Sequence, residues 1–276
     1  MDIVTSVSAL RERLQREPNN VFVPTMGNLH EGHIDLIRIA KPKAACTVVS
    51  IFVNRLQFGP REDFERYPRT FQSDCDKLRS SGVGVVFAPD EKEIYPEPQT
   101  YVVEPSDLQH ILDGAFRPGH FRGVATVVLK LFNMVMPHAA IFGKKDYQQY
   151  LVLRDMVRQL ALPVEIIPAE TVRAADGLAL SSRNGYLTAA ERAEAPRLYT
   201  LLKQAQDRIA TGERNFQRIE LESMALLAQN GWVPQYISIR RRADLQVPAA
   251  TDCDLVVLAA AYLGKTRLID NIEVTL

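Results

Sequence analysis

PTMGNLHEGHIDLIRIA, residues 24–40, decides the architecture. An apolar run, VFVPT at 21–25, ends in a Met-Gly loop; His30, Glu31, Gly32 and His33 follow, and Ile34, Leu36 and Ile37 continue at helical spacing. A strand that turns tightly into a helix points backbone N–H groups and the positive helix terminus at whatever sits in the turn, which favours phosphate. Gly27 and Gly32 remove side chains where a nucleotide must approach the backbone. Two imidazoles three residues apart, His30 and His33, can both face that phosphate and donate hydrogen bonds as charge builds up on it. The same pair could be two ligands of a metal site, but that reading needs a third ligand, and no Cys or carboxylate cluster nearby supplies one.

Outward from this unit the pattern repeats. CTVVSIFV (46–53), GVVFAP (84–89), AAIFG (139–143) and VEIIP (164–168) are short apolar runs, often rich in Val and Ile, as buried strands are. Between them, 34–41, 70–81 and 146–160 read as helices, and Val124, Val127, Val128, Leu131, Phe132 and Val135 give the clearest helical face, stopping before Pro137. Strands alternating with helices predict a doubly wound, Rossmann-like α/β sheet, parallel, with ligands beyond the carboxyl ends of its strands. After Asn184 two helical stretches, 188–211 and 215–229, precede the extended runs YISIR, DLVVLAAAYL and TRLIDNIEV, which predicts a smaller α+β unit. The boundary falls near 184, giving domains 1–184 and 185–276. The proline-punctuated region 89–122 reads as a long loop with one short strand, TYVVE.

Composition excludes several functions. The 276 residues carry 33 Lys+Arg against 33 Asp+Glu, so there is no basic excess for sequence-independent nucleic-acid binding. No apolar stretch approaches the roughly 18 to 20 residues of a membrane span, and MDIVTSVSALRERLQRE lacks the pattern of a signal peptide, so a cytoplasmic protein is expected. Cys46, Cys75 and Cys253 are odd in number and without CxxC spacing, which predicts reduced thiols and no thiolate metal site.

Four further stretches carry candidate chemistry. In IFGKKDYQQY (141–150), Gly143 leaves room for a ribose or adenine, Lys145 offers a point charge to phosphate, and Asp146 either accepts ribose hydroxyls or caps the next helix. In DGLALSSRNGYL (176–187), Ser181, Ser182 and Arg183 are consecutive phosphate-binding types, and Thr188 with Glu191 fits a capping box. Asn54 and Gln57 follow the strand at 46–53, where neutral amides suit a hydroxyl or carboxylate of a small ligand. His120, Arg122 and Gly123 open the long helix as an anion cradle or as capping residues. No Ser-His-Asp or Cys-His arrangement stands out.

PTMGNLHEGH, SIFVNRLQFGP, YPRT, HFRGVATVVLKLFN, FGKKDYQQ and ADGLALSSRN, in this order, closely resemble the pantothenate synthetase (pantoate–β-alanine ligase) family. The resemblance implies that pantoate attacks the α-phosphate of ATP, and that β-alanine then attacks pantoyl adenylate to give pantothenate and AMP, with Mg2+ on the triphosphate and no metal site built by the protein. It implies ATP contacts from Met26, Gly27, Asn28, Leu29, His30, Glu31, Gly32, His33, Gly143, Lys144, Lys145, Asp146, Val172, Leu180, Ser181, Ser182 and Arg183. Of these, His33, His30, Lys145, Ser181, Ser182 and Arg183 would act in catalysis. Gln57 and Gln149 would bind pantoate, Gln57 bordering the β-alanine site and Asn54 assisting. The smaller C-terminal domain would be a lid, and the protein a homodimer. Two positions depart from the family pattern: Arg55 stands where Pro is usual, and Lys144 where Glu is usual. The rival readings are a nucleotidylyltransferase with the same HxGH loop, a transfer-RNA-charging enzyme, and a nucleotide-binding module without activity.

Overall fold

Val21, Phe22 and Val23 are all fully buried, as a strand covered on both faces requires. In the computed structural model, which describes residues 1–60, 62–105 and 107–276, they lie in the strand at the centre of a parallel sheet. The strands are β1 (Asp2–Val4), β2 (Asn20–Thr25), β3 (Cys46–Ile51), β4 (Val85–Phe87), β5 (Ala139–Gly143) and β6 (Glu165–Ala169), in the spatial order β1-β4-β3-β2-β5-β6. Val21 and Val23 pack with Ile34 and Ile37 of the helix Glu31–Ala40. Phe22 points the other way, its ring meeting Phe132 of the helix His120–Val135 edge-on at 6.4 Å. Helices therefore cover both faces, the doubly wound arrangement expected from the alternation of apolar runs.

The topology also fixes where the sheet opens. The chain leaves β2 toward β3 and β4 on one side, then crosses to β5 on the other. β2 pairs with β3 through to Thr25↔Ile51, and β5 with β6 through to Gly143↔Ala169, yet β2 and β5 pair only at Val21↔Ala139 and Phe22↔Ala140. The carboxyl ends of β2 and β5 thus diverge at the topological switch point, where ligands bind in sheets of this kind.

Two expectations are corrected. Residues 100–104 form no strand, because the Val103 N–H goes to the Thr126 hydroxyl (3.0 Å) instead of a neighbouring strand. The stretch 188–211 divides into the helices Ala189–Glu194 and Arg197–Ala210, since Pro196 has no N–H to carry the hydrogen-bond ladder across. The predicted capping box is present, with Thr188 and Glu191 exchanging hydrogen bonds.

Contacts divide the chain into one unit of residues 1–144 and 149–170 and a second of residues 145–148 and 171–276. The second unit is built on an antiparallel sheet, β7 (Trp232–Arg241), β8 (Asp254–Leu263) and β9 (Thr266–Thr275), whose apolar face packs with Leu198, Leu202 and Ile209. Residues 171–184, placed in the first domain by sequence, belong by contact to this unit. Residues 145–148 join it because Asn271 Nδ2 donates to the Lys145 carbonyl (3.0 Å) and the Tyr147 hydroxyl donates to Glu273 (2.7 Å). Cys46 and Cys75 are buried, Cys253 is exposed, and all three are free thiols. Among the described residues no helix is long and apolar enough to cross a membrane.

Candidate active site

The loop after β2 is held from below by one carboxylate. Asp74, fully buried on the helix Phe71–Ser80, accepts from the N–H groups of Asn28 (2.9 Å) and Leu29 (2.8 Å) and from the Thr70 hydroxyl (3.1 Å). Lys77, from the same helix, donates to the Leu29 carbonyl (2.6 Å). Gly27 turns the chain at φ +81°, and a Cβ there would stand 3.1 Å from Ile51 and 3.2 Å from Asp74, so this position needs glycine for conformation and for space. The Gly27 N–H goes to the Thr25 hydroxyl (3.2 Å).

These bonds change the expected phosphate chemistry. The N–H groups of Gly27, Asn28 and Leu29 serve the protein itself. Those of Gly32 and His30 donate to the Nδ1 atoms of His30 (3.1 Å) and His33 (3.3 Å). A nitrogen that accepts carries no proton, so both neutral imidazoles are fixed as Nε2–H tautomers, with ring centroids 4.1 Å apart. With these five amides engaged, the imidazole Nε2–H groups become the candidate donors to an anion. Sequence spacing identified both histidines; it had no means of showing that the surrounding amides are committed, because Asp74 lies 46 residues from Asn28.

Gln57 stands beside this loop. Its Nε2 lies 3.2 Å from Met26 Sδ, and its Oε1 accepts from Asn54 Nδ2 (3.1 Å). Asn54 is itself 1% exposed and saturated: Nδ2 also donates to the Gly123 carbonyl (3.2 Å), and Oδ1 accepts from the Tyr95 hydroxyl (2.8 Å) and the Leu56 N–H (3.4 Å). Its hydrogen-bonding capacity is taken up by protein groups, among them Gln57 and the turn Arg55–Gln57, where a ligand contact was expected. Gln149 is half-buried in the first turn of the helix Tyr147–Gln159.

His120 and Arg122 do not form an anion cradle or a cap. Arg122 is exposed and pairs with Glu104 (2.8 Å), and the helix N-cap is Gly119. His120 is buried, with Nε2 2.8 Å from Arg117 Nη1 and Nδ1 2.8 Å from the Gln57 carbonyl. The guanidinium can only donate, so Nε2 accepts and Nδ1–H holds the Gln57 backbone. Arg117 is itself fixed by two bonds to Glu62 (2.6 and 2.7 Å). Burial, with the Arg117 charge adding to it, pushes the His120 pKa down to about 4.

A stability prediction follows from that shift. Between the ordinary histidine value of 6.5 and about 4, the unfolded chain binds a proton that the native imidazole refuses. Stability is therefore complete above 6.5 and falls as pH drops toward 4. His120→Asn, which keeps a donor for the Gln57 carbonyl and removes the titrating group, is expected to show a shallower acid limb in thermal melts. An unchanged limb would contradict the shift.

The two unusual cations are accommodated locally. Arg55 lies over the Phe64 ring (4.0 Å to the centroid) and pairs with Glu91 (3.4 Å) and Glu65 (3.6 Å). Lys144, directly after β5, pairs with Glu170 (2.6 Å). Gly143 ends β5, and a Cβ there would meet only Leu36 Cδ2 at 4.0 Å, so the position has open space but no steric demand for glycine.

In the second unit Val172 and Leu180 lie across a short hairpin, the Leu180 N–H donating to the Val172 carbonyl (3.0 Å). Ser181 caps the short helix Ser182–Tyr186 by accepting from the Arg183 N–H (3.2 Å). The hairpin is anchored by Arg173, which makes two bonds to buried Asp270 (2.6 and 2.8 Å) and stacks 3.7 Å from the Tyr199 ring centroid. Lys145 and Asp146 lie in the segment tied to β9; Lys145 is half-buried and Asp146 exposed.

Comparison with known proteins bears on the fold and the family. The chain matches the model of the pantoate-beta-alanine ligase family over residues 2–273. It is 57% identical over 275 residues to a pantothenate synthetase of Nitrosospira multiformis, covering 100% of this chain and 99% of that one. The crystal structure of pantothenate synthetase from Thermus thermophilus superimposes with a TM-score of 0.95 at 42% identity, covering 100% of both chains. A Francisella tularensis pantoate-beta-alanine ligase, crystallised with beta-gamma ATP and beta-alanine, gives a TM-score of 0.85 at 35% identity over 99% of this chain and 97% of that one. Sequence, fold and full-length likeness converge, and the chain belongs to the pantoate-beta-alanine ligase family of enzymes.

Proposed function

We propose that this protein condenses pantoate with β-alanine, driven by ATP, through pantoyl adenylate. A pantoate carboxylate oxygen bonds to the α-phosphorus as the bond to pyrophosphate breaks. The β-alanine amine then attacks the acyl carbon, forming the amide as AMP leaves and the amine loses its proton. Both nucleophiles belong to substrates, which leaves the protein the tasks of orientation and charge stabilisation. The observation that carries this reading is the pair of Nε2–H imidazoles, His30 and His33, at the carboxyl end of β2 in the unit that also holds the Gln57 amide beside Met26. The ATP and β-alanine ligands named for the Francisella relative add to it.

In this reading His30 and His33 donate to phosphate oxygens, strengthening as charge develops. Lys145 supplies a positive charge to the phosphates, with Ser181, Ser182 and Arg183 as further phosphate ligands. Gly143, Lys144 and Asp146 serve the ribose side, and Val172 and Leu180 the adenine side. The loop from Met26 to Gly32 gives its shape to the site, while Gln57 and Gln149 bind pantoate. Among the described residues no group of three His, Cys, Asp or Glu side chains is placed to hold a metal. We assign Mg2+ to the incoming nucleotide, whose phosphates are its usual ligands. The reading extends to a homodimer in the cytoplasm with a C-terminal lid.

The test is AMP and pyrophosphate release from purified protein with ATP and Mg2+, with pantoate and β-alanine each omitted in turn. Turnover is expected to need both acids, and pyrophosphate exchange to need pantoate alone. Exchange driven only by a phosphorylated acceptor would move the assignment to a nucleotidylyltransferase; ATP binding with no AMP from any pair would mark a binding module. Gln57→Ala and Gln149→Ala are each expected to raise the KM for pantoate about tenfold, the scale of one lost hydrogen bond to a charged ligand, with little change for ATP. Loss of ATP affinity with pantoate affinity intact would overturn their assignment.

A further inference from the structure

We propose that Tyr95 is a positioning residue for Gln57: its hydroxyl holds the Asn54 amide in place, and Asn54 in turn fixes which end of the Gln57 amide is presented to substrate. The inference rests on the reading of Gln57 as a pantoate ligand. An amide side chain can rotate to exchange its donor and acceptor ends, and the protein must remove that choice if the group is to select a ligand.

The orientation can be followed atom by atom. The Gly123 carbonyl can only accept, so the Asn54 nitrogen faces it (3.2 Å). Asn54 Oδ1 then meets two donors, the Tyr95 hydroxyl at 2.8 Å and the Leu56 N–H at a longer 3.4 Å. The second Asn54 proton goes to Gln57 Oε1 (3.1 Å). Gln57 must therefore direct its NH2 group away from Asn54, and that group reaches Met26 Sδ at 3.2 Å. Sulfur is a weak acceptor. A carboxylate or hydroxyl oxygen of a bound acid is a better partner, and the amide is preset to donate to it.

Among the described residues, Tyr95 is the side chain that secures this relay from outside the turn. It lies directly after the helix Glu91–Ile94, its ring 6.2 Å from Phe52 and 4.7 Å from the Lys130 ammonium. Burial, with the nearby Glu91 charge, holds the phenol well above its ordinary pKa, so it remains a donor at working pH. Without the hydroxyl, Asn54 Oδ1 keeps only its long backbone bond (3.4 Å), and the amide is held less firmly, by the Gly123 carbonyl and that bond.

Tyr95→Phe removes one oxygen and keeps the ring. It is expected to raise the KM for pantoate about 5- to 10-fold, the scale of a buried acceptor losing its main donor, with the KM for ATP unchanged. In a Gln57→Ala background the same substitution is expected to add nothing, because the group it orients is gone. A purely structural role would raise both KM values, or multiply with Gln57→Ala; either result overturns the inference. If Tyr95→Phe folds poorly by near-UV circular dichroism, Asn54→Ala breaks the relay at its middle and is expected to show the same coupling to Gln57. Should Gln57→Ala leave the pantoate KM unchanged, the reading of Gln57 fails and this inference with it. An effect of Gln57→Ala combined with none from Tyr95→Phe overturns this inference alone.

Discussion

Replacing His33 with alanine is expected to lower turnover about 10²- to 10³-fold while the protein stays folded, the usual scale for losing one preorganised donor to a transition-state charge. In the proposed function one imidazole would carry this weight because the amides around it are engaged. The N–H groups of Gly27, Asn28, Leu29, His30 and Gly32 are all engaged within the protein. The loop therefore offers few donors besides its histidines. His33 has a second task, accepting from the His30 N–H (3.3 Å), and alanine would end both. His33→Asn separates them: its Oδ1 can still accept from His30, while nothing replaces Nε2–H. Equal losses in the two variants, measured as kcat under saturating substrates, assign the effect to the donor. Unchanged turnover in His33→Ala would remove His33 from the chemistry.

Gly123→Ala is expected to cut kcat/KM for pantoate about 10²-fold, an effect on the scale of a 1 Å misplacement near a reacting group. Within a helix, alanine is ordinarily better than glycine by about 1 kcal/mol. Here a Cβ would stand 2.2 Å from the Leu56 carbonyl oxygen and 2.7 Å from the Gln57 N, and backbone atoms cannot rotate aside. The turn Arg55–Gln57 must move, and with it the Gln57 amide. The expected signature is a large pantoate defect with ATP binding retained. A variant that is stabilised, as propensity alone dictates, with pantoate kinetics intact would show that helix and turn separate freely.

The parallel sheet was legible because its strands are continuous apolar runs: AAIFG is β5 to the residue, and CTVVSIFV overshoots β3 by two positions. β1 was missed because Asp2–Val4 is a three-residue edge strand, too short for any periodicity. His30, His33 and Gln57 were legible because strand-turn-helix order gives such residues a place. Their supports were not. Asp74, Tyr95 and Glu62 look like ordinary surface residues in the sequence, and acquire meaning only when folding brings Tyr95 to Asn54 across 41 positions and Glu62 to Arg117 across 55. His120 was noticed for the wrong reason. A histidine opening a helix suggests an exposed anion ligand, and only the Arg117 contact and burial reveal a neutral donor to backbone. Arg55 and Lys144 look disruptive as isolated changes, yet each meets acidic partners that the sequence separates from it.

The clamp of Asp74 and Lys77 on residues 28 and 29 has a thermodynamic consequence. Ordering a backbone costs roughly 1 to 2 kcal/mol per residue, and in a flexible phosphate loop that cost weakens ligand affinity. Here the loop surrenders its freedom when the helix Phe71–Ser80 docks, long before any nucleotide arrives. Association then resembles a key entering a cut lock, and the entropy of the loop is charged to folding alone.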